Sequence, residues 1–366
     1  MRKFFLEQVL FISCILLMGF AIASCNKSPA NSKEFHVDNS EYKDWSTLLN
    51  IKNAIQLQEN TSCLMSYATK CIVLDSTIIY QDYRSKRIYA FSSDGKYICT
   101  IGNLGHSASE YTSIKDICVD NKDSTVIVLD DRGLVCYNLH NGKFKERKKM
   151  FSPTPDEYEK IEFIDDSEII CFTDNKNDNT IVCDSQKGIK KLRKGKRFHF
   201  VLNPFYKYNE ECRVLSDYGD FYIDEYKDGE LKTLYRIDLG KKALPADILP
   251  KTYKEFEAVD NSADYFKCIA EAHETSDWLY LKFVGPKQKY YIGFFDKKKG
   301  SYAVGQNDET LGIFVIDADD ENFYAIIYPE FASPKSLANK ILKKYRIDTH
   351  KSSPVIVKFS LNENIL

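Results

Sequence analysis

The stretch "IKDICVDNKDSTVIVLDDRGLVCYNLHNGKFKERKKM", residues 114–150, decides the fold. It divides into four extended segments, IKDICVD, STVIVLDD, LVCYNLH and KFKERKKM, each alternating or β-branched and each separated from the next by Asn, Asp and Gly. Four short strands joined by tight turns are one blade of a β-propeller. Outward from this unit the pattern recurs. Gly95 in SSDGKYICTIG, Gly142 in LHNGKFKERKKM and Gly188 in SQKGIKKLRKG each precede a strand, at intervals of 47 and 46 residues. Glu110-Tyr111 and Glu157-Tyr158 both fall 15 and 16 residues after the first two of these glycines, and Ile114 and Ile161 both fall 19 after. Gly229 in KDGELKTLYRIDL and Gly300 in KKKGSYAVG continue the series more loosely. A period of about 40 to 50 residues made of short strands is a propeller signature.

The other units fall at about 71–101, 161–193, 198–239, 265–304 and 311–361, so the expected fold is all-β: a six-bladed β-propeller of four-stranded antiparallel blades. Helical periodicity is confined to 250–259, an insert between blades 4 and 5, and 334–345, inside the last blade. The segment 51–58 is expected to pair with the C-terminal unit and close the ring, giving a propeller over 51–366.

Ahead of it, Arg2 and Lys3 precede an apolar run, 9–23, too short for a comfortable membrane span and ending in Ile22-Ala23-Ser24-Cys25. That ending resembles the lipobox of bacterial lipoproteins, with an ordinary secretory signal as the alternative. The resemblance implies a signal peptide over 1–24, a lipid on Cys25 as the membrane partner, and a lipidated N-terminus and tether over 25–50. No acidic run follows Cys25, so the expected address is the outer membrane facing the periplasm, with surface exposure the alternative. After residue 24 the chain has 342 residues, 49 basic and 52 acidic, a charge of −3 that offers no attraction for nucleic acid. Nine cysteines remain beyond Cys14 and Cys25. They are spread singly without CxxC, mostly in apolar runs such as CIVLD and EIICFTD, and read as buried hydrophobes rather than zinc ligands or a disulfide framework.

The run IIYQDYRSKRIYAFSSDGKYICTIGNLGHSASEYTSIKDICVDNKDSTVIVLDDRGLVCYNLHNGKF, 78–144, resembles the lipid-anchored 6-bladed β-propeller family of Gram-negative bacteria, whose blades are similar to NHL repeats. LLNIKNAIQLQEN (48–60), SDWLYLKF (276–283) and SSPVIVKFSL (352–361) extend the resemblance over nearly the whole chain. In that family the first interblade connection tends to read Ile-Gly, two residues, Gly, a Gly-Pro-containing turn and Glu-Tyr. Gly102, Gly105, Glu110 and Tyr111 match, whereas His106-Ser107-Ala108-Ser109 replaces the Gly-Pro turn. The resemblance implies a fold rather than a reaction. "IGNLGHSASEY" is itself read as an interblade connection rather than a phosphate cradle, because a strand follows it instead of a helix.

No catalytic constellation is visible. The histidines 36, 106, 140, 199, 273 and 350 form no HxxH or HExxH pair, and GxSxG and Walker loops are missing. DNKDSTVIVLDD from Asp120 and DNKNDNT from Asp174 space oxygens like calcium loops but lack the EF-hand glycine and glutamate, and read as turns. No metal ligands and no cofactor are therefore assigned. Loops between blades share a face with the loops between the second and third strands of each blade. The connection aromatics Tyr83, Tyr111, Tyr158, Phe205, Tyr206, Tyr208 and Tyr218 are thus drawn to one rim, where Tyr111 and Tyr158 are read as packing under their own loops. The candidate ligand-binding rim is Tyr83, Arg84, His106, Glu110, Arg132, Glu157, Tyr206 and Tyr218, next to the insert at 251–256. Two functions follow from different classes. The favoured one is a non-catalytic binding or scaffolding propeller that presents this rim to a glycan, peptide or envelope protein. The other is a metal-assisted hydrolase or lyase with an ion in the central channel, its ligands gathered one from each innermost strand.

Overall fold

The computed structural model describes residues 32–38, 41–148, 150, 157–173, 180–194, 203–262, 264–308 and 310–365. Residues 1–31, with Cys25, residues 174–179 of DNKNDNT and His199 lie outside them. Two strands and a helical turn open the described chain: β1 (Lys33–His36), α1 (Trp45–Leu48) and β2 (Leu49–Gln56). Blade 1 holds β3 (Ala68–Val73), β4 (Thr77–Asp82), β5 (Arg87–Ser92) and β6 (Tyr97–Ile101), and blade 2 holds β7 (Asp116–Asp120), β8 (Thr125–Asp130), β9 (Gly133–Asn138) and β10 (Phe144–Lys148). Blade 3 holds β11 (Tyr158–Asp165), β12 (Glu168–Thr173), β13 (Thr180–Ser185) and β14 (Gly188–Lys194). Blade 4 is β15 (Phe205–Tyr208), β16 (Glu211–Leu215), β17 (Tyr222–Lys227) and β18 (Glu230–Asp238), followed by helix α2 (Tyr253–Ser262). Blade 5 is β19 (Cys268–Glu274), β20 (Trp278–Val284), β21 (Tyr290–Asp296) and β22 (Tyr302–Gln306). Blade 6 takes β23 (Phe314–Ala318), β24 (Phe323–Ile327) and, after helix α3 (Leu337–Lys344), β25 (Val355–Leu361) from the C-terminal end, and its outermost strand is β2.

The architecture is a six-bladed propeller of antiparallel sheets, each running from an innermost to an outermost strand. Both faces of a blade's inner strands are covered by neighbouring blades, which is why β4 and β8 are buried at every position and read as continuous apolar runs. The outermost strands β10 and β14 are largely exposed and charged. A separate apolar cluster fills each gap between neighbours, such as Ile79, Ile88 and Ala90 against Ile117, Val126 and Tyr137 between blades 1 and 2. The glycine period has a steric cause: Gly95 and Gly142 have φ of +84° and +67°, and an added Cβ would lie 2.6 Å from Gln56 O and 2.0 Å from Thr100 O, on the outer strand of the preceding blade. Helix α3 starts at Ser336, whose hydroxyl accepts from Asn339 N, and buries Leu337, Ala338, Ile341 and Leu342.

The N-terminal segment differs from the tether read over 25–50. β1 adds a fifth strand to blade 4 outside β18, with Phe35 buried against Tyr235 and Phe295 between blades 4 and 5. Tyr42 N then donates to Val304 O, and Trp45 seats against Phe294 between blades 5 and 6. Phe35 and Trp45 thus each fill an interblade gap, and burying side chains of this size is worth roughly 1.5–3 kcal/mol each. From there β2 pairs with β25 over Leu49 to Gln56. All nine cysteines from Cys63 to Cys268 are free thiols, eight of them buried, and burial pushes Cys63 and Cys136 up to about 12, out of the reactive thiolate range.

Candidate functional site

The innermost strands β3, β7, β11, β15, β19 and β23 surround a central channel enclosing a cavity of about 910 Å³. Each carries an ionisable residue into or beside it: Lys70, Asp116, Lys160 with Glu162, Lys207, Glu271 with His273, and Asp317. Four of these strands slip register by one residue just ahead of the charged side chain, between Ala68 and Lys70, Tyr158 and Lys160, Ile269 and Glu271, and Val315 and Asp317. A bulge at the same place in four blades re-aims the next side chain and bends the strand around the axis.

The charges are matched across blades. Lys70 Nζ lies 3.1 Å from Asp116 Oδ1, which also meets Lys160 Nζ at 3.8 Å, while the other Asp116 oxygen accepts from Ile161 N at 3.0 Å. Lys207 pairs with Glu162 at 3.5 Å and Lys282, from β20, with Glu271 at 3.3 Å. His273 stands between Glu271, 3.7 Å from its Nε2, and Asp317, 4.0 Å from its Nδ1, and Asp317 accepts from Val73 N at 2.7 Å. Burial raises the Glu162 and Asp317 carboxyls above the ordinary range, although Lys207 and His273 respectively pull them back. Burial acts on Glu271 in the same sense, but the Lys282 charge and His273 outweigh it and hold the group at about 2. Lys70 and Lys207, which burial would discharge, are held above the usual lysine range by these carboxylates. These pairs line the lumen with matched charges, and His273 Nε2 is buried there between the two carboxylates. Among the described residues the one grouping of three side chains close enough to share an ion is Glu34, His36 and Asp238, exposed on the outer edge of blade 4 and away from the channel.

The channel opens, on the face of the interblade loops, beside a cluster of aromatic rings. Tyr67 and Phe331 stack with centroids 5.4 Å apart and planes at 24°, and Tyr328 meets both edge-on at 5.2 and 6.4 Å. Tyr328 is pinned by Ala68 N, which donates to its hydroxyl at 2.9 Å. Tyr83 N donates to Tyr67 O and Arg84 N to Ser66 Oγ, so the turn between β4 and β5 adjoins the loop before β3. Tyr67 and Phe331, which line the cavity, keep 37 and 59 % of their surface exposed, and Leu64 on the same loop and Tyr83 on the adjoining turn keep 67 and 69 %.

The residues expected at the rim separate into three groups. Tyr83, Arg84, His106 and Glu157 are exposed. Glu110 and Arg132 hold the interblade loop: the Glu110 carboxylate accepts from Ser107 N at 2.9 Å, a bond that keeps it below its ordinary value, and Arg132 donates to the carbonyls of His106, Ser107 and Glu110. Tyr206 and Tyr218 are not rim residues. Tyr206 lies buried on β15, its hydroxyl 3.5 Å from Glu274, because FYKY is an innermost strand rather than a connection. Tyr218 does sit in a loop, between β16 and β17, but α2 covers it, with the Phe256 ring 5.5 Å away. Tyr111 and Tyr158 are core residues, the latter donating to Asp184 Oδ2 at 3.1 Å. Sequence reasoning missed Tyr67 and Phe331, which lie in irregular turns, and the channel charges, whose signal was a charged residue inside the apolar first strand of each unit.

No curated protein matches the chain by sequence. Among solved structures it is similar to a Bacteroides fragilis protein described as exported, with 17% identity and a TM-score of 0.72 over 91% of this chain and 99% of that one. It is also similar to a member of the DUF4221 family from Bacteroides vulgatus, with 11% identity and a TM-score of 0.54 over 86% and 98%. At these identities the likeness shows the fold. A family model matches residues 34–362, from the strand outside blade 4 to the end of the ring, and by that match the chain belongs to DUF4934, a domain of unknown function.

Proposed function

We propose that this protein is a non-catalytic binding propeller of the bacterial envelope, held at the outer membrane by a lipid on Cys25, that takes a glycan, peptide or protein segment at the mouth of its channel. The exposed rings Tyr67 and Phe331 at the opening of the cavity carry the reading: a concave opening flanked by rings above a lumen of paired charges is suited to recognition. The leader sequence and the exported description of the B. fragilis relative support the address. Calorimetric titration of the protein and its Tyr67→Ala/Phe331→Ala variant against a panel of envelope polysaccharides and peptides tests the mouth. Binding that weakens at least about tenfold in the variant, or about 1.4 kcal/mol, supports it, and binding that the variant keeps in full moves the site elsewhere. For the anchor, Cys25→Ala is expected to abolish lipid labelling and release the protein from the membrane fraction; unchanged fractionation and labelling would sink it.

A further inference from the structure

Resting on that reading of the mouth, we infer that its ligand is an anionic polysaccharide, with sugar rings laid on Phe331 and Tyr67 and carboxylate or sulfate groups held by Arg84, Lys86 and Arg87. The turn "YRSKR", Tyr83 to Arg87, is exposed at all five positions. Among the described residues none of its three cations is in an ion pair. The turn is nevertheless fixed, because the buried Asp82 carboxylate accepts from Ser85 N at 2.6 Å and from Ser66 N and Oγ of the adjoining loop. Arg84 and Lys86 on the fixed turn and Arg87 at the start of β5 give this edge of blade 1 a cluster of unpaired cations, and the guanidinium fork matches a carboxylate or sulfate in two bonds at once.

The rings select the body that carries the charge. Tyr67 and Phe331 lie nearly parallel and Phe331 is mostly exposed, so the mouth offers electron-rich flat faces to the polarised C–H face of a sugar ring. Tyr67, Tyr83 and Phe331 lie outside the strands, so no strand edge is offered; aromatic grooves and arginine clusters also serve peptides, and poly-glutamate in the test separates that occupant from a sugar chain. The next blade gives the contrast, since no hydrogen bond or ion pair of the Arg84 side chain occurs among the described residues. Arg132, two residues beyond Asp130 as Arg84 is beyond Asp82, is spent on three carbonyls of its own loop.

Full-length protein in detergent is titrated with polygalacturonate, chondroitin sulfate, dextran and poly-glutamate at low and moderate salt. One or both acidic polysaccharides are expected to bind, and the two arms tell carboxylate from sulfate recognition. Arg84→Ala/Arg87→Ala should weaken that binding at least about tenfold and flatten its salt dependence. Phe331→Ala should weaken it with the salt dependence unchanged, and Glu330→Gln, which removes an exposed acid beside Phe331, should strengthen it. Thermal melts confirm that these surface variants are folded. Dextran binding as tightly as the acidic polymers, with no effect of the arginine variant, overturns the inference and leaves the binding reading intact. Poly-glutamate matching the polysaccharides, with Phe331→Ala neutral, overturns it in favour of an acidic peptide. If none of the four polymers binds, the inference falls, and the binding reading is judged on the Tyr67/Phe331 variant against the wider panel.

Discussion

Blades 1 and 2 end their second strands alike, in Asp82-Tyr83-Arg84 and Asp130-Asp131-Arg132, and use these residues differently. In both, the aspartate is buried and ties the turn after its strand to the loop that enters the blade: Asp82 binds Ser85 and Ser66, and Asp130 binds Arg132 N at 2.8 Å and Thr112 N at 3.2 Å. In blade 2 the charge is answered from within, with Arg147 Nη2 3.0 Å from Asp130, Asp131 beside Lys115, and Arg132 gathering carbonyls of the loop ahead of it. In blade 1 the loop before β3 is held instead by Glu59, which accepts from Met65 N and Ser353 Oγ, and Arg84 is left at the surface next to Tyr67. Equivalence in a repeat thus transfers the scaffold, while the length and fastening of the neighbouring loop decide which side chains remain for a ligand.

The hardest strike on this comparison removes the two aspartates. Asp130→Ala leaves Arg147 and Arg132 facing a buried vacancy and is expected to cost about 3–5 kcal/mol, whereas Asp82→Ala strands two backbone donors and the Ser66 hydroxyl, with no charged partner, and should cost about 1–3 kcal/mol. Urea unfolding of both variants checks the order, and equal losses would mean that the arginines add nothing to blade 2. Substituting Gly102, at φ +59° with the Tyr137 ring 2.4 Å from an added Cβ, should cost about 2–3 kcal/mol as alanine, since both the backbone and a buried ring must yield. The companion Gly105→Ala meets only the Glu110 carboxylate, which must move and release Ser107 N, and should cost about 1 kcal/mol, with thermal melts as the measure. Arg132→Ala should cost about 1 kcal/mol after discounting its exposure, and Arg84→Ala should stay within about 0.5 kcal/mol of wild type. A clear loss in the Arg84 variant would show that it is structural after all.

The smallest effect is one of pH. Burial opposes ionisation of Asp130, but Arg147 and the Thr112 and Arg132 amides win and place its folded value below the ordinary one. A depressed carboxylate lends stability that is complete above the unfolded value of about 3.9 and disappears as pH falls through the folded value. Stability curves of wild type and Asp130→Asn should therefore converge below about pH 4; a gap that stays constant to lower pH would assign Asp130 no charge-linked role.

The blades were legible because their cause is local. Alternation in STVIVLDD and the glycines pressed against a neighbouring strand repeat wherever a blade must turn and bury both faces, and the two helices carry their own period and cap. Phe35 and Trp45 gave no such signal: neither belongs to a repeating pattern, and each has a place only once blades 4, 5 and 6 stand side by side. Of the residues read as a rim, Tyr83 and Arg84 are exposed on the turn beside Tyr67, but nothing local distinguishes Tyr218, covered by an insert that follows it in sequence, from Tyr67, left open. Lys70, Glu162, Lys207, Glu271 and Asp317 come from five strands spread over nearly 250 residues, and each reads alone as a stray charge in an apolar strand. The chain by itself determined the repeat, the strand count and the turns, since these depend on neighbours a few residues apart. Ring closure decided which charges meet in the channel and which arginines stay free, because those contacts exist only between segments that the fold brings together.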